Sequence, residues 1–345
     1  MKKSARVGII GGGALGVGLL YFLTKEGWRD VVLIEKGELT SGSTWHAAGL
    51  VPHFISGLSM AKVHHVGSQL YKNLERETGY ATGWHGCGSI RLARCNDEVD
   101  WFHYVKGTLD YLGIESFIIG PEEIVKLHPL LVVNDVKLAL YTPTDGHTDP
   151  ASSTSSMAAG ARKEGAEIYR HTQVLNTRLL DNGEWEVVTS QGSIVCEHIV
   201  NAAGSFAKQV GEWVGLDLPI VNMKHHYLVT ENVPEIEALD KELPVVRDPH
   251  ASCYYRQEQH GILIGPYERQ GAQAWGLDGI DWKFDMELLS PELDRLEPSL
   301  QLAAERMPCW VNVGIKRVVH GPITHTPDGG FLLGPAAGLK NYWLC

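Results

Sequence analysis

VGIIGGGALG, residues 7–16, is the stretch of sequence that decides the fold of this 345-residue chain. It joins a short apolar strand to a glycine turn of the form G-x-G-x-x-G, and an apolar helix follows over residues 17–26. A second apolar strand at residues 31–34 ends in Glu35. This order of elements predicts an α/β unit in which the glycine turn holds a phosphate group at the start of the helix.

The three glycines and the acid have separate roles in such a unit. Gly11 allows the tight turn, Gly13 lets the backbone approach a pyrophosphate, and Gly16 lets the helix pack close to the strand. Glu35 is placed to accept hydrogen bonds from ribose hydroxyls. The sequence therefore predicts a Rossmann-like fold that binds an adenine dinucleotide, with a glycine-rich turn in some other α/β protein as the alternative.

The segment after Glu35 distinguishes a nicotinamide from a flavin dinucleotide. A nicotinamide dehydrogenase would continue with alternating strands and helices, whereas residues 37–49 are small and polar and predict a loop. Ser43, Thr44 and His46 lie in this loop. Because an imidazole nitrogen can attack the 8α-methyl carbon of a flavin, His46 is a candidate for a covalent flavin link. A buried histidine hydrogen-bonded to the backbone is the alternative.

Composition limits the classes of function. The formal net charge of −11 argues against a surface for nucleic acid or anionic membranes. No apolar run reaches the length of about 18 residues that a membrane span needs. The six cysteines contain no C-x-x-C motif, which favours reduced thiols and a cytoplasmic location. The sixteen histidines show no metal-ligand spacing, so we predict no metal site.

Motifs along the whole chain resemble those of the dimethylglycine dehydrogenase and sarcosine dehydrogenase family, within the D-amino-acid oxidase superfamily. The most specific is LTSGSTWHAAGL at residues 39–50, because in that family the histidine of T-W-H-x-A-G carries covalently attached FAD. Further similar runs lie at residues 199–204, 224–230, 253–258, 265–268 and 321–328. The resemblance implies FAD, bound covalently through His46, and the following cofactor-binding residues: Gly11, Gly13, Gly16, Glu35, Ser43, Thr44, His46, Val174, Ala203 and Gly204.

The same resemblance implies a fold and its domains. The expected fold is α/β, with a Rossmann-like FAD-binding domain interleaved with an antiparallel-sheet substrate domain. The FAD-binding domain is expected at residues 1–88, 147–221 and 311–345, and the substrate domain at residues 89–146 and 222–310. The apolar run at residues 341–345 predicts a strand that stops before the family's next glycine turn. We therefore expect a chain that is truncated at its C-terminus and lacks the folate-binding domains of the family.

Candidate catalytic residues lie in the antiparallel layer. Amine oxidation by a flavin requires a neutral amine, so the site must favour loss of the ammonium proton. The resemblance places His225 and Tyr254 near the substrate, and Arg256 shares a strand face with Tyr254, where it is a candidate partner for a substrate carboxylate. A slip of one residue would turn His226 or Tyr255 inward instead. An arginine in a strand is also commonly a salt-bridged structural group.

The predicted reaction is oxidative demethylation of an N-methylated glycine by hydride transfer to FAD, with dimethylglycine favoured and sarcosine next. An electron-transferring flavoprotein or oxygen is the expected electron acceptor, and no nucleic-acid or membrane partner is expected. Two alternatives stay open from the residues alone. One is an oxidase of another secondary or tertiary amine or amino acid, and the other is a truncated nucleotide-binding remnant without turnover.

Overall fold

The computed structural model describes residues 1–268 and 272–345. Within these residues the helices are, in chain order, α1 (Ala14–Lys25), α2 (Leu58–Thr78), α3 (Asn96–Tyr111), α4 (Pro121–Leu127), α5 (Pro150–Lys163), α6 (Ala207–Glu212), α7 (Pro234–Glu237) and α8 (Glu297–Arg306). The strands are β1 (Ser4–Ile10), β2 (Val31–Ile34), β3 (Leu50–Val51), β4 (Ser89–Ala93), β5 (Phe117–Ile119), β6 (Leu138–Thr142), β7 (Gly146–His147), β8 (Glu167–Tyr169), β9 (Val174–Leu179), β10 (Trp185–Thr189), β11 (Gly192–Asn201), β12 (Val221–Thr230), β13 (Val245–Asp248), β14 (Cys253–Glu258), β15 (Gly261–Pro266), β16 (Ala274–Trp275), β17 (Ile315–His325), β18 (Gly334–Pro335) and β19 (Tyr342–Leu344).

The first sheet carries the glycine turn. Its strands lie in the order β18-β19-β11-β1-β2-β8, and the antiparallel pair β9–β10 is attached to β11. β1 runs parallel to both β2 and β11. All four residues of β2 are buried, because helices α1 and α5 cover one face of the sheet while Trp185 and Val187 of β10 cover the other. A strand that is apolar throughout is typical of such a sheet covered on both faces.

The second sheet is mainly antiparallel. Its strands lie in the order β16-β12-β15-β14-β13-β4-β6-β5, and β17 pairs with β12. The pair β4–β13 is parallel. Side chains from β4, β13, β14 and β15 form the largest apolar core of this half, together with residues of α4 and α8. The presence of a parallel nucleotide-binding layer beside a mainly antiparallel sheet confirms the predicted α/β fold class.

One strand of the segment predicted for the FAD-binding domain pairs with the second sheet. The segment 311–345, assigned from sequence to the FAD-binding domain, begins with β17, and β17 pairs antiparallel with β12 from Ile315 to His325. The chain returns to the first sheet only at β18 and β19. The sequence of β17 did not reveal this, because the partner of a strand is set by tertiary packing.

Two helix ends show local sequence control. α5 begins directly after Asp149, whose side chain accepts a hydrogen bond of 2.6 Å from the backbone N–H of Ser152. α2, a 21-residue helix that the sequence analysis did not predict, ends at Gly79 in the left-handed conformation with a φ of +81°. None of the helices in the described part of the chain is long and apolar enough to cross a membrane.

The two sheets meet at the loop between β2 and β3. Ala48 and Leu50 of this loop pack against buried Tyr227, Tyr254 and Val319 of the second sheet. The end of the loop is also tied to the chain before α5, because β3 pairs with β7. The loop that contains His46 is therefore held between the glycine turn on one side and strands β12, β14 and β17 on the other.

Candidate cofactor and substrate site

The glycine turn between β1 and α1 has no room for a side chain at two positions. Gly11 has a φ of +115°, and a Cβ there would lie 2.3 Å from the carbonyl oxygen of Ala202. A Cβ on Gly16 would lie 2.0 Å from the carbonyl oxygen of Gly11. Gly13, the residue just before α1, has no side chain that could cap the helix. The sequence thus places bare backbone at a helix N-terminus, which is the arrangement that holds a pyrophosphate.

Glu35 braces this turn. Its carboxylate accepts hydrogen bonds from the backbone N–H groups of Gly12 (2.7 Å) and Gly37 (2.8 Å). Burial raises the pKa of the Glu35 carboxyl, and the two backbone hydrogen bonds oppose that effect. The residue also lines the two cavities beside the turn, so its position is compatible with the predicted contact to ribose hydroxyls.

Two adjacent cavities run past the glycine turn. The first is lined by Val174 and by a stack of aromatic rings, in which Trp282 lies 5.1 Å from Phe206 and 5.6 Å from Trp213 between ring centroids. The second has a volume of about 250 Å³. Its lining includes Gly11, Gly13, Glu35, Ser43, Thr44, His46, Ala203 and Gly204. Of the ten predicted cofactor residues, only Gly16 lines neither cavity, since it packs behind the turn.

The residues present fit an adenine dinucleotide. Aromatic and apolar side chains at one end suit a flat adenine ring, and the open helix N-terminus in the middle suits the pyrophosphate. The loop at the other end is made of small residues that let the backbone lie along a flat ring system. FAD, the cofactor implied by the family resemblance, has these three parts in this order.

Two hydrogen bonds fix the loop between β2 and β3 beside the second cavity, one to the first sheet's helix α1 and one to β17 of the second sheet. The Thr44 hydroxyl accepts a hydrogen bond of 3.0 Å from the backbone N–H of Ala14, the first residue of α1. The Ser43 hydroxyl donates to the carbonyl oxygen of Pro322 in β17 at 2.7 Å. Both predicted cofactor residues therefore orient the loop, and they place His46 between the first and the second sheet.

His46 stands at the junction of the cofactor and substrate sides. The residue is 7% exposed. It lines the second cofactor cavity and also a further cavity on the side of the second sheet, the substrate cavity. Its ring lies directly over the backbone of Gly321, where a Cβ would come within 2.6 Å of ring atom Cε1. Burial lowers the pKa of His46, so the imidazole is neutral and a ring nitrogen keeps its lone pair. A neutral imidazole is the form that can act as a nucleophile.

The substrate cavity has a volume of about 260 Å³ and lies on the other side of His46. Its lining includes the two predicted catalytic residues, His225 of β12 and Tyr254 of β14. Tyr267 lies between them, with ring centroids 5.1 Å from His225 and 5.8 Å from Tyr254. The structure thus brings His225 and Tyr254 to one cavity beside His46, although they are far apart in the sequence.

The strand register decides which tyrosine faces the cavity. Tyr254 lines the cavity, whereas its neighbour Tyr255 is buried in the apolar core on the opposite face of β14. Both His225 and His226 contribute to the cavity lining. Burial raises the pKa of Tyr254 above its usual range, so its hydroxyl stays protonated at neutral pH. Tyr254 is therefore equipped to donate a hydrogen bond rather than to accept a proton.

Arg256 is absent from the lining of this cavity. Its guanidinium forms an ion pair with Glu258 at 2.6 Å and donates a hydrogen bond of 3.0 Å to the carbonyl oxygen of Ala48. Arg247 of β13 lines the cavity and lies 5.4 Å from the centre of the Tyr254 ring. Alternation along a strand gives the face of a side chain but not the direction of a long, flexible one, so the role of Arg256 as carboxylate partner stays a prediction.

The residues that sequence reasoning missed are Arg247, Glu268 and Gly321. Arg247 follows two buried valines in β13 and precedes Asp248, and an arginine within so short a strand was the available signal. Glu268 lies 3.5 Å from His225 and was quoted only as part of a family-like run. Gly321 lies in another such run, but its contact with the His46 ring depends on how β17 packs and had no sequence signal.

One cluster of possible metal ligands occurs in the described residues, although none was predicted. His85, His147 and Glu242 offer ligand atoms within 4.8 Å of one another. Glu242 already accepts hydrogen bonds of 2.7 Å from both imidazoles, and the two rings stack with centroids 4.7 Å apart. These contacts satisfy the three side chains without a metal ion, so the cluster is accounted for as a hydrogen-bonded link between loops.

Comparisons with known proteins agree with this geometry. A family model described as FAD dependent oxidoreductase matches residues 6–345. The mitochondrial dimethylglycine dehydrogenase of Mus musculus is 46% identical over 347 residues, which cover 99% of this chain and 40% of that protein. The mitochondrial sarcosine dehydrogenase of Homo sapiens is 34% identical over 350 residues, which cover 100% of this chain and 37% of that protein. The chain thus spans about 40% of the length of these relatives.

A solved structure extends the comparison to the fold. L-proline dehydrogenase from P. horikoshii matches with a TM-score of 0.87 and 26% sequence identity, covering 100% of this chain and 88% of that chain. Together these matches confirm the resemblance that the His46 run and the later motifs indicated. With a matching family model over nearly its whole length and a cavity that fits the cofactor, the chain belongs to the DAO family of FAD-dependent oxidoreductases.

Proposed function

We propose that the chain, with FAD bound, oxidises an N-methylated glycine, with dimethylglycine favoured over sarcosine. When bound, FAD supplies a two-electron acceptor for the C–H bond next to the amine nitrogen. The proposal rests mainly on the position and surroundings of Arg247. Its guanidinium lines the cavity beside His46 and has no ion pair or hydrogen bond with any residue in the described ranges.

Charge in this cavity favours an anionic ligand. Arg91 of β4 lies opposite Arg247 in the strand register, and its Nε also has no hydrogen-bond partner among the described residues. Burial, followed by repulsion from Arg247, lowers the pKa of Arg91 to about 10. Arg91 lies outside the cavity lining, over the rings of Phe54 and Trp101, and adds positive charge near Arg247. The planar guanidinium of Arg247, which does line the cavity, matches a glycine carboxylate in a bidentate pair.

The amine of such a substrate must lose its proton before oxidation. His225 is the group that takes this proton in our proposal, because it lines the cavity and its Nε2 has no hydrogen-bond partner among the described residues. Tyr254, whose hydroxyl stays protonated, donates a hydrogen bond and helps orient the substrate. The carboxylate on Arg247 and the amine near His225 would then direct the N-methyl group to the side of the cavity lined by His46.

His46 is proposed to carry FAD covalently: an imidazole nitrogen would bond to the 8α carbon, the methyl group would lose one hydrogen as a proton, and the electron pair of that C–H bond would pass into the flavin, from which the electron acceptor would remove it. Three observations support this proposal: the imidazole is neutral, it lines both cavities, and it is held over Gly321. Denaturation of the FAD-loaded chain in acid tests it. Flavin absorbance should stay with the polypeptide, and complete release of flavin to the supernatant would contradict the covalent link.

Oxidation of another secondary or tertiary amine or amino acid is the second candidate. The similarity to a protein named L-proline dehydrogenase favours it, because a ring amine and an N-methyl amine place a C–H bond beside nitrogen in the same way. An electron-transferring flavoprotein or oxygen as acceptor, and a cytoplasmic location, stay predictions from sequence. A chain without turnover is the remaining alternative, and the following experiment distinguishes it.

The test is to mix the FAD-loaded chain with each amine in the absence of oxygen. Reduction of the flavin is measured as loss of its absorbance. Dimethylglycine is expected to reduce the flavin fastest, then sarcosine. Trimethylamine is the matched control, since it keeps the tertiary amine but lacks the carboxylate, and we expect no reduction by it. Faster reduction by L-proline would favour the second candidate. If none of these amines reduces bound FAD, the proposed function is wrong.

A further inference from the structure

Glu268 is a buried carboxylate beside the substrate cavity. It follows β15, and its side chain is 1% exposed. Oε1 accepts a hydrogen bond of 2.9 Å from Arg295 and lies 3.4 Å from Nδ1 of His226. Oε2 has no hydrogen-bond partner among the described residues and lies 3.5 Å from Nδ1 of His225. The carboxylate is therefore held through one oxygen and free to interact with His225 through the other.

The neighbouring histidine does not compete for that free oxygen. Nε2 of His226 accepts a hydrogen bond of 3.1 Å from the backbone N–H of Glu292, so the neutral His226 ring carries its proton on Nδ1, toward Oε1. Among the described residues, the charged and titratable groups around this cluster are Lys224, His225, His226, Cys253, Tyr254, Tyr267, Glu292, Arg295, His320 and His325.

His225 is held in position by ring contacts. Its ring centroid lies 5.1 Å from Tyr267 and 5.3 Å from His325, and the residue lines the substrate cavity. A proton on Nδ1 would face the carboxylate of Glu268 and would leave Nε2 with a free lone pair. A carboxylate behind a histidine orients the ring in this way in many catalytic sites.

We infer that Glu268 is a positioning residue that holds His225 with its proton on Nδ1 and stabilises the imidazolium formed when Nε2 takes a proton from the substrate ammonium. This inference rests on the proposed function of His225 as proton acceptor. The step moves one proton from the amine nitrogen to Nε2 and changes no oxidation state. Burial alone would raise the pKa of the Glu268 carboxyl, but interactions with His225 and His226 hold it well below its usual range, so the carboxylate stays charged.

A purely structural role for Glu268, as an anchor for Arg295, makes different predictions. Glu292 provides the matched control, because it also contacts Arg295 at 2.9 Å but has no contact with the His225 side chain. Glu268→Gln and Glu292→Gln both replace a carboxylate with an amide of the same shape. Only the first removes charge next to Nδ1 of His225.

Nitrogen NMR of the histidine side chains tests the inference without any turnover. His225 is assigned by the signals lost in His225→Gln. In the unsubstituted chain its neutral ring should be the Nδ1–H form. In Glu268→Gln no carboxylate holds the proton on Nδ1, so signals of the Nε2–H form should appear. Glu292→Gln should keep the Nδ1–H form.

A second variant covers the case in which Glu268→Gln does not fold. Glu268→Asp keeps the charge that pairs with Arg295 but draws the carboxylate back from Nδ1 of His225, so the Nε2–H form should appear in part. An anchor role predicts the unsubstituted tautomer in both variants. An unchanged tautomer in the variants that fold would overturn the inference.

Flavin reduction separates this inference from the proposed function. In FAD-loaded Glu268→Gln the rate of flavin reduction by dimethylglycine should fall about 10- to 100-fold, a typical effect of a residue that orients a catalytic group. The FAD content should be unchanged, and so should the affinity for acetate, which serves as a probe of carboxylate binding. If the tautomer of His225 changes in Glu268→Gln but no N-methylated glycine reduces the flavin in the unsubstituted chain, the proposed function fails while the Glu268–His225 coupling stands. If reduction is rapid and unchanged in Glu268→Gln, the inference fails alone.

Discussion

The two regions that meet at His46, the cofactor side and the substrate side, are built in different ways. On the cofactor side the shape comes from backbone, since Gly11 and Gly16 admit no Cβ and Glu35 binds backbone N–H groups. On the substrate side the shape and charge come from side chains, and Arg247 and His225 lie on different strands of the second sheet. The first region depends on local sequence, and the second depends on strand register.

This difference determines how each region should respond to substitution. Backbone close to backbone cannot relax, so an added methyl group on the cofactor side should affect both folding and FAD binding. Side chains in a water-accessible cavity can be shortened without strain, so changes on the substrate side should affect substrate binding and leave FAD in place. The following predictions test this separation.

Gly16→Ala should have the largest effect. Its Cβ would lie 2.0 Å from a backbone oxygen, so α1 must move away from β1. We expect loss of FAD binding and of about 3 kcal/mol of stability, measured by flavin absorbance and thermal unfolding. Gly18→Ala is the control in the same helix, because a Cβ there meets nothing within 4 Å. It should keep FAD and gain up to about 1 kcal/mol. Wild-type FAD affinity in Gly16→Ala would remove the basis of the comparison.

Arg247→Ala should have the next largest effect, and only on the substrate side. Loss of the carboxylate partner should raise the KM for dimethylglycine about 100-fold, within the range of about 2–5 kcal/mol for a buried charge pair, while FAD content stays normal. Arg256→Ala is the control. Because the guanidinium of Arg256 is already paired with Glu258, its loss should raise the KM for dimethylglycine less than about tenfold. If Arg256→Ala raises KM more than Arg247→Ala, Arg256 is the carboxylate partner after all.

Arg247, rather than Arg256, lines the substrate cavity, and this shows which features of the site sequence can and cannot predict. The glycine turn, Glu35 and the loop with His46 follow one another within about forty residues, so their proximity was predictable from a single βαβ unit. Arg247 enters the cavity only because β13 lies beside β14 in the sheet and because Glu258 occupies the guanidinium of Arg256. Neither the sheet order nor the ion pair is encoded in a local pattern.

β17 illustrates the same limit. The sequence showed residues 321–328 only as a run similar to the family, and the pairing of β17 with β12 brings Gly321 beneath His46 and opposite His225. Tyr254, in contrast, was placed correctly in the cavity from its motif alone, since the face of β14 follows from alternation once one residue is known to point inward. Motifs therefore predicted which residues gather at the site better than how their side chains pair.

The pH dependence of flavin attachment gives a third, smaller effect, at the junction itself. Burial lowers the pKa of His46 from its ordinary value of 6.5, so the neutral imidazole predominates at and above pH 6.5. The rate of covalent FAD attachment should therefore be constant above pH 6.5 and fall only at lower pH, when the imidazole becomes protonated. The measurement is flavin retained after acid denaturation as a function of incubation pH. His46→Ala is the control and should retain none, and a rate that keeps rising above pH 7 would contradict a neutral His46.

Gly321→Ala should have the smallest effect and is the sharpest test of how the two regions are joined. A Cβ there would lie 2.6–2.9 Å from three atoms of the His46 ring, and the ring can yield only by tilting into the cavity. Such crowding costs about 1–3 kcal/mol, so covalent attachment should slow about tenfold while the KM for dimethylglycine changes little. Gly314→Ala, just before β17, is the control, because its Cβ meets only a flexible glutamate side chain at 3.4 Å. If Gly321→Ala attaches FAD at the normal rate, His46 is not held by the backbone of β17. The junction would then behave like the adaptable substrate side, and the rigid region would end at Thr44.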